Sequence, residues 1–113
     1  MQVAQAEAAL QSSRAWLRST VAEAWDFAST SGAIPVAQRT ALRLAATEAT
    51  TRATRAVDLM YEAGGGSSIY ATSPLQRCFR DIHVVTQHAM VAPSTYELTG
   101  RLLLGLDTDS AML

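Results

Sequence analysis

Residues Val3–Ser31 read VAQAEAALQSSRAWLRSTVAEAWDFASTS, a stretch with neither proline nor glycine and rich in alanine, a strong helix former. Val3, Leu10, Leu17 and Ala24 recur every seven residues, and Ala6, Ser13, Thr20 and Phe27 follow the same period on an adjacent line. That spacing predicts one long amphipathic helix with a single face for partners. Trp16 and Trp25 widen the apolar face.

Outward from this helix, Gly32 is the expected stop and Pro35 suits the first turn of a second helix running to about Ala63. Leu42, Ala45, Ala49, Ala53, Ala56, Met60 and Ala63 fall at spacings of three and four, and the small residues among them let a neighbouring backbone come close. Glu48 and Arg52 form a favourable (i, i+4) pair on the solvated side. Gly64, Gly65 and Gly66 end that helix and open a loop through Ser67, Ser68, Ile69, Tyr70 and Thr72. Ser73 is the expected N-cap of a third helix and Pro74 its first residue. Leu75, Phe79, Ile82, Thr86 and Ala89 mark its inward stripe as far as Pro93, which breaks or kinks it. Ser94 is placed to cap a short continuation through Tyr96, Leu98, Leu102 and Leu103, with Gly105 at its end and an extended tail from Asp107 to Leu113.

No segment alternates with the two-residue period of a strand, so the expected fold is all-α: an up-down bundle of three long helices and a short C-terminal one. Helices of about 28 residues are some 40 Å long. Three such rods leave a groove where a fourth would pack, so the bundle is expected to be completed by oligomerisation or by further chain.

Composition narrows the function. The 113 residues suit one domain, with a formal charge of −1 and nine arginines, no lysine, spread among acidic residues. No basic stripe marks a nucleic-acid interface. No apolar run approaches the roughly 20 residues of a membrane span, and the polar N-terminal segment is unlike a signal peptide. Cys78 stands alone, which rules out an internal disulfide and a cysteine-based zinc motif and fits a reducing cytoplasm. It lies near the inward stripe and is expected to be a small core residue.

Both histidines and that cysteine fall in LQRCFRDIHVVTQHAMVAP, Leu75–Pro93. On a continuous helix, His83 and His88 diverge by about 140°, so a shared metal ion is not expected. Arg77 and Asp81 are spaced for an (i, i+4) pair. Periodicity alone favours His88 as a surface or interface histidine. The other reading is a neutral imidazole acting as general base or hydrogen-bond partner. His83 reads as structural. The glycine triplet lacks the strand–turn–helix setting of a phosphate-binding loop.

The run YEAGGGSSIYATSPLQRCFRDIHVVTQHAMVAPSTYELTGRLLLGLDTD resembles the C-terminal end of acyl-CoA-dehydrogenase-fold flavin monooxygenases, the oxygenase components of two-component hydroxylases. The resemblance is strongest over Leu59–Leu113 and extends more weakly over the helices before it. It implies that residues 1–113 are the C-terminal helical bundle of a larger three-domain flavoprotein, lacking the first bundle helix. It implies reduced flavin, FAD or FMN, delivered by a separate reductase, with O2 and a small aromatic substrate, and assembly as a homodimer or homotetramer. Dehydrogenases of this fold often carry an Arg–Asp step, matched by Arg80-Asp81, followed about eight residues on by a catalytic glutamate and Gly-Thr. Here Gln87-His88-Ala89-Met90 stands in that place. The monooxygenase branch puts a histidine there, which makes His88 the expected catalytic group, assisting oxygen transfer or deprotonating a phenol. By the same match Arg80, Asp81 and His83 line the flavin side, and Gly65, Gly66 and Ser67 form a loop near flavin or a neighbouring subunit. The alternatives are an acyl-CoA dehydrogenase fragment, opposed by the missing glutamate, and a helical oligomerisation module without chemistry.

Overall fold

A computed structural model describes all residues, 1–113. It is all-helical: α1 (Gln2–Ser31), α2 (Val36–Ala63), a 3-10 turn (Gly65–Ile69), α3 (Pro74–Val85) and α4 (Ser94–Leu103). Gly32 closes α1 in the left-handed conformation, with φ 76° and its N–H on the Ala28 carbonyl. Ser73 caps α3 as expected, its hydroxyl accepting from the Leu75 amide at 3.3 Å. Where a loop was expected after Gly64, the chain makes the 3-10 turn. A Cβ on Gly64 would stand 2.1 Å from the Ser68 hydroxyl and 2.7 Å from Leu75, so only glycine lets that turn fold back onto α2.

Helix α2 is the spine. α1, α3 and α4 each pack on it and none of them packs on another. The molecule is correspondingly long, 51 × 24 × 23 Å. Its radius of gyration of 16.7 Å exceeds the roughly 13 Å of a compact chain of this length. An apolar groove opens between α1, α2 and α3. Val3, Ala6 and Leu10 of α1, Ala53 and Met60 of α2, and Leu75 of α3 line an apolar cleft of about 320 Å³.

The α1–α2 seam uses small residues. Ala6, Ala9, Ser13, Thr20 and Ala24 are the buried residues of α1, while Val3 and Trp25 are 67% and 72% exposed. The seam facing α2 is thus made by Ala6, Ser13 and Thr20 of one seven-residue line together with Ala24 of the other. The larger residues flank it, because close helix approach needs short side chains at the crossing. Interior hydroxyls are made compatible with burial by bonding back to their own helix. Ser13 donates to the Ala9 carbonyl at 2.8 Å, Thr40 to Val36 at 2.7 Å and Thr47 to Arg43 at 3.0 Å. No buried side-chain nitrogen or oxygen lacks a partner. The aliphatic core is correspondingly small: Ala6, Ala56 and Leu59, with Leu10 and Met60 packed against it.

Three expectations are corrected. The third helix is not long: it spans only the twelve residues Pro74–Val85, and Thr86 and Ala89 lie beyond it. Val84, Val85 and Thr86 are consecutive β-branched residues, which weakens the helix. The Thr86 hydroxyl donates to the His83 carbonyl at 2.7 Å, while the amides of Gln87 and His88 reach back three residues to Val84 and Val85. That tightening is how a helix stops. Cys78 is exposed and is not a core residue. With only α2 beneath α3, the cysteine side of the helix faces the open groove. Ser94 makes no capping bond. Pro93 holds the cap position, and the amides of Thr95 and Tyr96 bond to the carbonyls of Ala92 and Pro93.

Candidate functional site

His88 sits in the turn that follows α3, not on a helix, so the 140° divergence from His83 does not apply. Its ring is exposed, and the Met90 amide donates to its Nδ1 at 3.2 Å. An amide N–H can only donate, so Nδ1 is the acceptor and the neutral ring carries its proton on Nε2. Val84, Val85 and Met90, all exposed, surround this turn.

The other expected residues are distributed as follows. His83 faces α2: its Nε2 lies 2.9 Å from the Asp58 carboxylate. Its ring meets that of Phe79 at 4.5 Å between centroids, and Phe79 meets Tyr61 at the same distance. This aromatic stack and the hydrogen bond to Asp58 pin α3 to α2. Asp81 pairs with Arg77 at 3.8 Å on the open face, both well exposed, which makes the pair worth little. Arg80 is exposed and forms no ion pair. Gly65, Gly66 and Ser67 form the 3-10 turn before α3. The twelve residues of α3 stand between them and His88, about 18 Å at the helical rise. Within this chain they do not share a pocket. No three side chains among His, Cys, Asp and Glu converge on one point.

Two clusters escaped the sequence reading. In the first, Tyr96 of α4 donates its hydroxyl proton to Glu48 of α2 at 2.6 Å, and its oxygen accepts from the Thr51 hydroxyl at 3.1 Å. Arg52 donates to the same carboxylate at 2.7 Å. The Tyr96 bond first and the Arg52 bond second hold Glu48 below the ordinary carboxylate range. Burial first, then the hydrogen bond to Glu48, push the Tyr96 phenol above its usual value. The spacing of Glu48 and Arg52 was legible, but nothing in the sequence marks a tyrosine 48 residues away as their third member.

In the second cluster, Arg43 is 7% exposed and is the one charged residue among the 14 buried ones. Its guanidinium meets no carboxylate. It donates to the Met112 carbonyl of the tail and, at 3.5 Å, to the Met90 carbonyl of the His88 turn. Arg39, one turn earlier, donates to the carbonyls of Leu113 and Ser110 at 3.2 and 3.5 Å. Ile34, Leu42, Ala46, Met90, Val91 and Leu113 complete a cleft of about 370 Å³ beside these arginines.

A flavin ring needs an apolar slab on its faces and hydrogen-bond partners at its edge. Exposed Val84, Val85 and Met90 supply an apolar rim at the His88 turn, and His88 supplies one N–H. These residues fit one wall of such a site. They enclose nothing by themselves.

Comparison with known proteins gives a consistent picture. Residues 1–93 match the family model described as acyl-CoA dehydrogenase, C-terminal domain. An indole-3-acetate monooxygenase of Pseudomonas putida is 38% identical over 103 residues, 91% of this chain and 26% of that protein. A pigment production hydroxylase of Rhodococcus erythropolis is 32% identical over 93 residues, 82% of this chain and 24% of that protein. The crystal structure of 3-HSA hydroxylase from Rhodococcus sp. RHA1 superposes with a TM-score of 0.89 at 28% identity, covering 99% of this chain and 30% of that one. The HsaA monooxygenase from M. tuberculosis superposes with a TM-score of 0.85 at 25% identity, covering 96% and 29%. The chain thus spans about a quarter of the curated relatives it matches. With its helical order, its spine of α2 and this match over most of its length, the chain belongs to the acyl-CoA dehydrogenase C-terminal domain family.

Proposed function

We propose that this chain is the C-terminal bundle of a three-domain flavin-dependent monooxygenase that oxygenates a small aromatic substrate. The observation that carries the reading is His88: an exposed imidazole with a defined Nε2–H, at the position where a dehydrogenase of this fold would carry its glutamate. Relatives named as monooxygenases and hydroxylases support it over the dehydrogenase alternative. Bound reduced flavin, FAD or FMN, supplies the oxygen-transfer chemistry with O2, and a separate reductase supplies the flavin. His88 acts as the catalytic proton-exchanging group toward substrate. Arg80 and Asp81 stand on the face turned to the cofactor, His83 borders that side while anchoring α3 to α2, and Gly65, Gly66 and Ser67 approach flavin or a neighbouring subunit. No metal takes part, and the enzyme works in the cytoplasm.

Assembly follows from surface area. The chain exposes 7283 Å², against about 6,000 Å² for a compact monomer of 12.1 kDa. The excess exceeds the roughly 800 Å² each partner gives to an ordinary interface. Leu17, Val21, Ala22 and Trp25 form an apolar strip on the outer side of α1, which suits a homodimer or homotetramer.

The test is product and hydrogen peroxide formed per reduced flavin in the full-length protein and in His88→Ala. Loss of one acid–base group should cut product formation on the order of 10²–10⁴-fold, with peroxide rising. Unchanged rate and coupling would place the catalytic group elsewhere and leave this bundle a scaffold.

A further inference from the structure

We propose that Arg43 is a positioning residue for His88, its buried guanidinium holding the carbonyl of Met90, the residue whose own N–H fixes the imidazole with its proton on Nε2. The inference builds on the reading of His88 as the catalytic group.

The argument starts from cost. A buried cation without a carboxylate is expensive, and it is tolerated only where fixed dipoles replace the water it has lost. Arg43 is in that position, and the two dipoles it uses come from two otherwise separate segments, the His88 turn and the chain's tail. Neither segment has regular structure to hold it. Residues 86–93 are turns and bends, and 106–110 are without assigned structure. The guanidinium fork, rigid and planar, is suited to tying two carbonyls at once, which a single ammonium is not.

The link onward to His88 runs through one peptide unit and its neighbour. The Met90 carbonyl faces Arg43, while the Met90 amide faces His88 Nδ1. Fixing the carbonyl direction of residue 90 restrains the turn that aims its amide. The His88 carbonyl in turn accepts from Val91 at 3.0 Å, which closes the turn around the ring. With Nδ1 occupied as acceptor, the outward nitrogen Nε2 is a donor. Arg43 therefore sets which nitrogen is presented to substrate, as the partner of a metal- or substrate-facing histidine does elsewhere.

The experiment is nitrogen NMR of the histidine rings in the full-length protein, labelled with 15N-histidine and measured without flavin or substrate. The His88 signals are identified by their loss in His88→Gln. In the wild type the ring should be held as the Nε2–H form. In Arg43→Met it should relax toward the mixture of a free imidazole, a change on the order of fivefold in the ratio of forms for the loss of one hydrogen bond. Arg43→Lys keeps the charge but cannot span both carbonyls, so it should show the same relaxation in a folded protein even if Arg43→Met does not fold. Thr47→Val, on the same helix, serves as the control: it should lower stability and leave the ring form unchanged. A wild-type ring already in the free mixture, or an unchanged ring in folded Arg43→Lys, overturns the proposal. Because the readout needs no turnover, it is independent of the result for His88→Ala. Arg43 can hold His88 whether or not His88 proves catalytic, and each failure is visible separately.

Discussion

Replacing Tyr96 by phenylalanine removes one oxygen and leaves the ring in place between α4 and α2. The lost hydroxyl donates to Glu48 at 2.6 Å and accepts from Thr51 at 3.1 Å. A hydrogen bond to a charged acceptor contributes about 1.5–3 kcal/mol when well shielded. Glu48 is a quarter exposed, so screening brings the expected loss to about 1–2 kcal/mol at neutral pH. For a domain of this size that is roughly 4–8 °C in Tm. The loss should depend on pH with a definite sign. Glu48 has its folded pKa lowered, chiefly by this bond, so its contribution is complete above the unfolded carboxylate value of about 4.3 and disappears as pH falls through the lowered folded value. Tyr96 has its folded pKa raised, so its contribution is complete below about 10 and disappears as pH rises through the raised value. Urea unfolding followed by helical circular dichroism, from pH 7 down to about 3.5, compares wild type, Tyr96→Phe, Glu48→Gln and the double variant. The gap between wild type and Tyr96→Phe should narrow at the acid end, and the two substitutions should be strongly non-additive. A neutral-pH loss below about 0.5 kcal/mol, or a loss indifferent to pH, would refute the account of how α4 is held.

Three further outcomes are expected. His83→Ala removes the Asp58 bond and the end of the Tyr61–Phe79 stack, and should lower stability by about 1–2 kcal/mol in a thermal melt while changing product yield far less than His88→Ala does. Trp25→Glu places a charge on the apolar strip of α1 and should shift the sedimentation profile toward smaller species at concentrations where the parent is assembled. Leu59→Ala hollows the only aliphatic cluster and should cost about 2–5 kcal/mol by urea unfolding, the largest loss among these substitutions.

The 113 residues determined the helices by local chemistry. An alanine-rich run without glycine or proline makes α1, Gly32 and Gly64 end helices where a stripe of side chains also ends, and Ser73-Pro74 begins α3. Those signals act within a turn or two of the residues that carry them, which is why they can be read in order along the chain. The local (i, i+4) pairs, Glu48–Arg52 and Arg77–Asp81, were legible for the same reason. The end of α3 was not. Its inward stripe continues in sequence to Ala89, but the chain turns at Thr86, and the Met90 carbonyl meets a guanidinium 47 residues away. Whether Cys78 is buried likewise depends on what lies across the groove, which no periodicity within α3 specifies. Tyr96 on Glu48, His83 on Asp58 and Arg43 between two carbonyls are meetings of groups far apart in the chain. Tertiary structure alone decided them, because a buried or shared polar group takes its partner from whatever packing brings within hydrogen-bond reach.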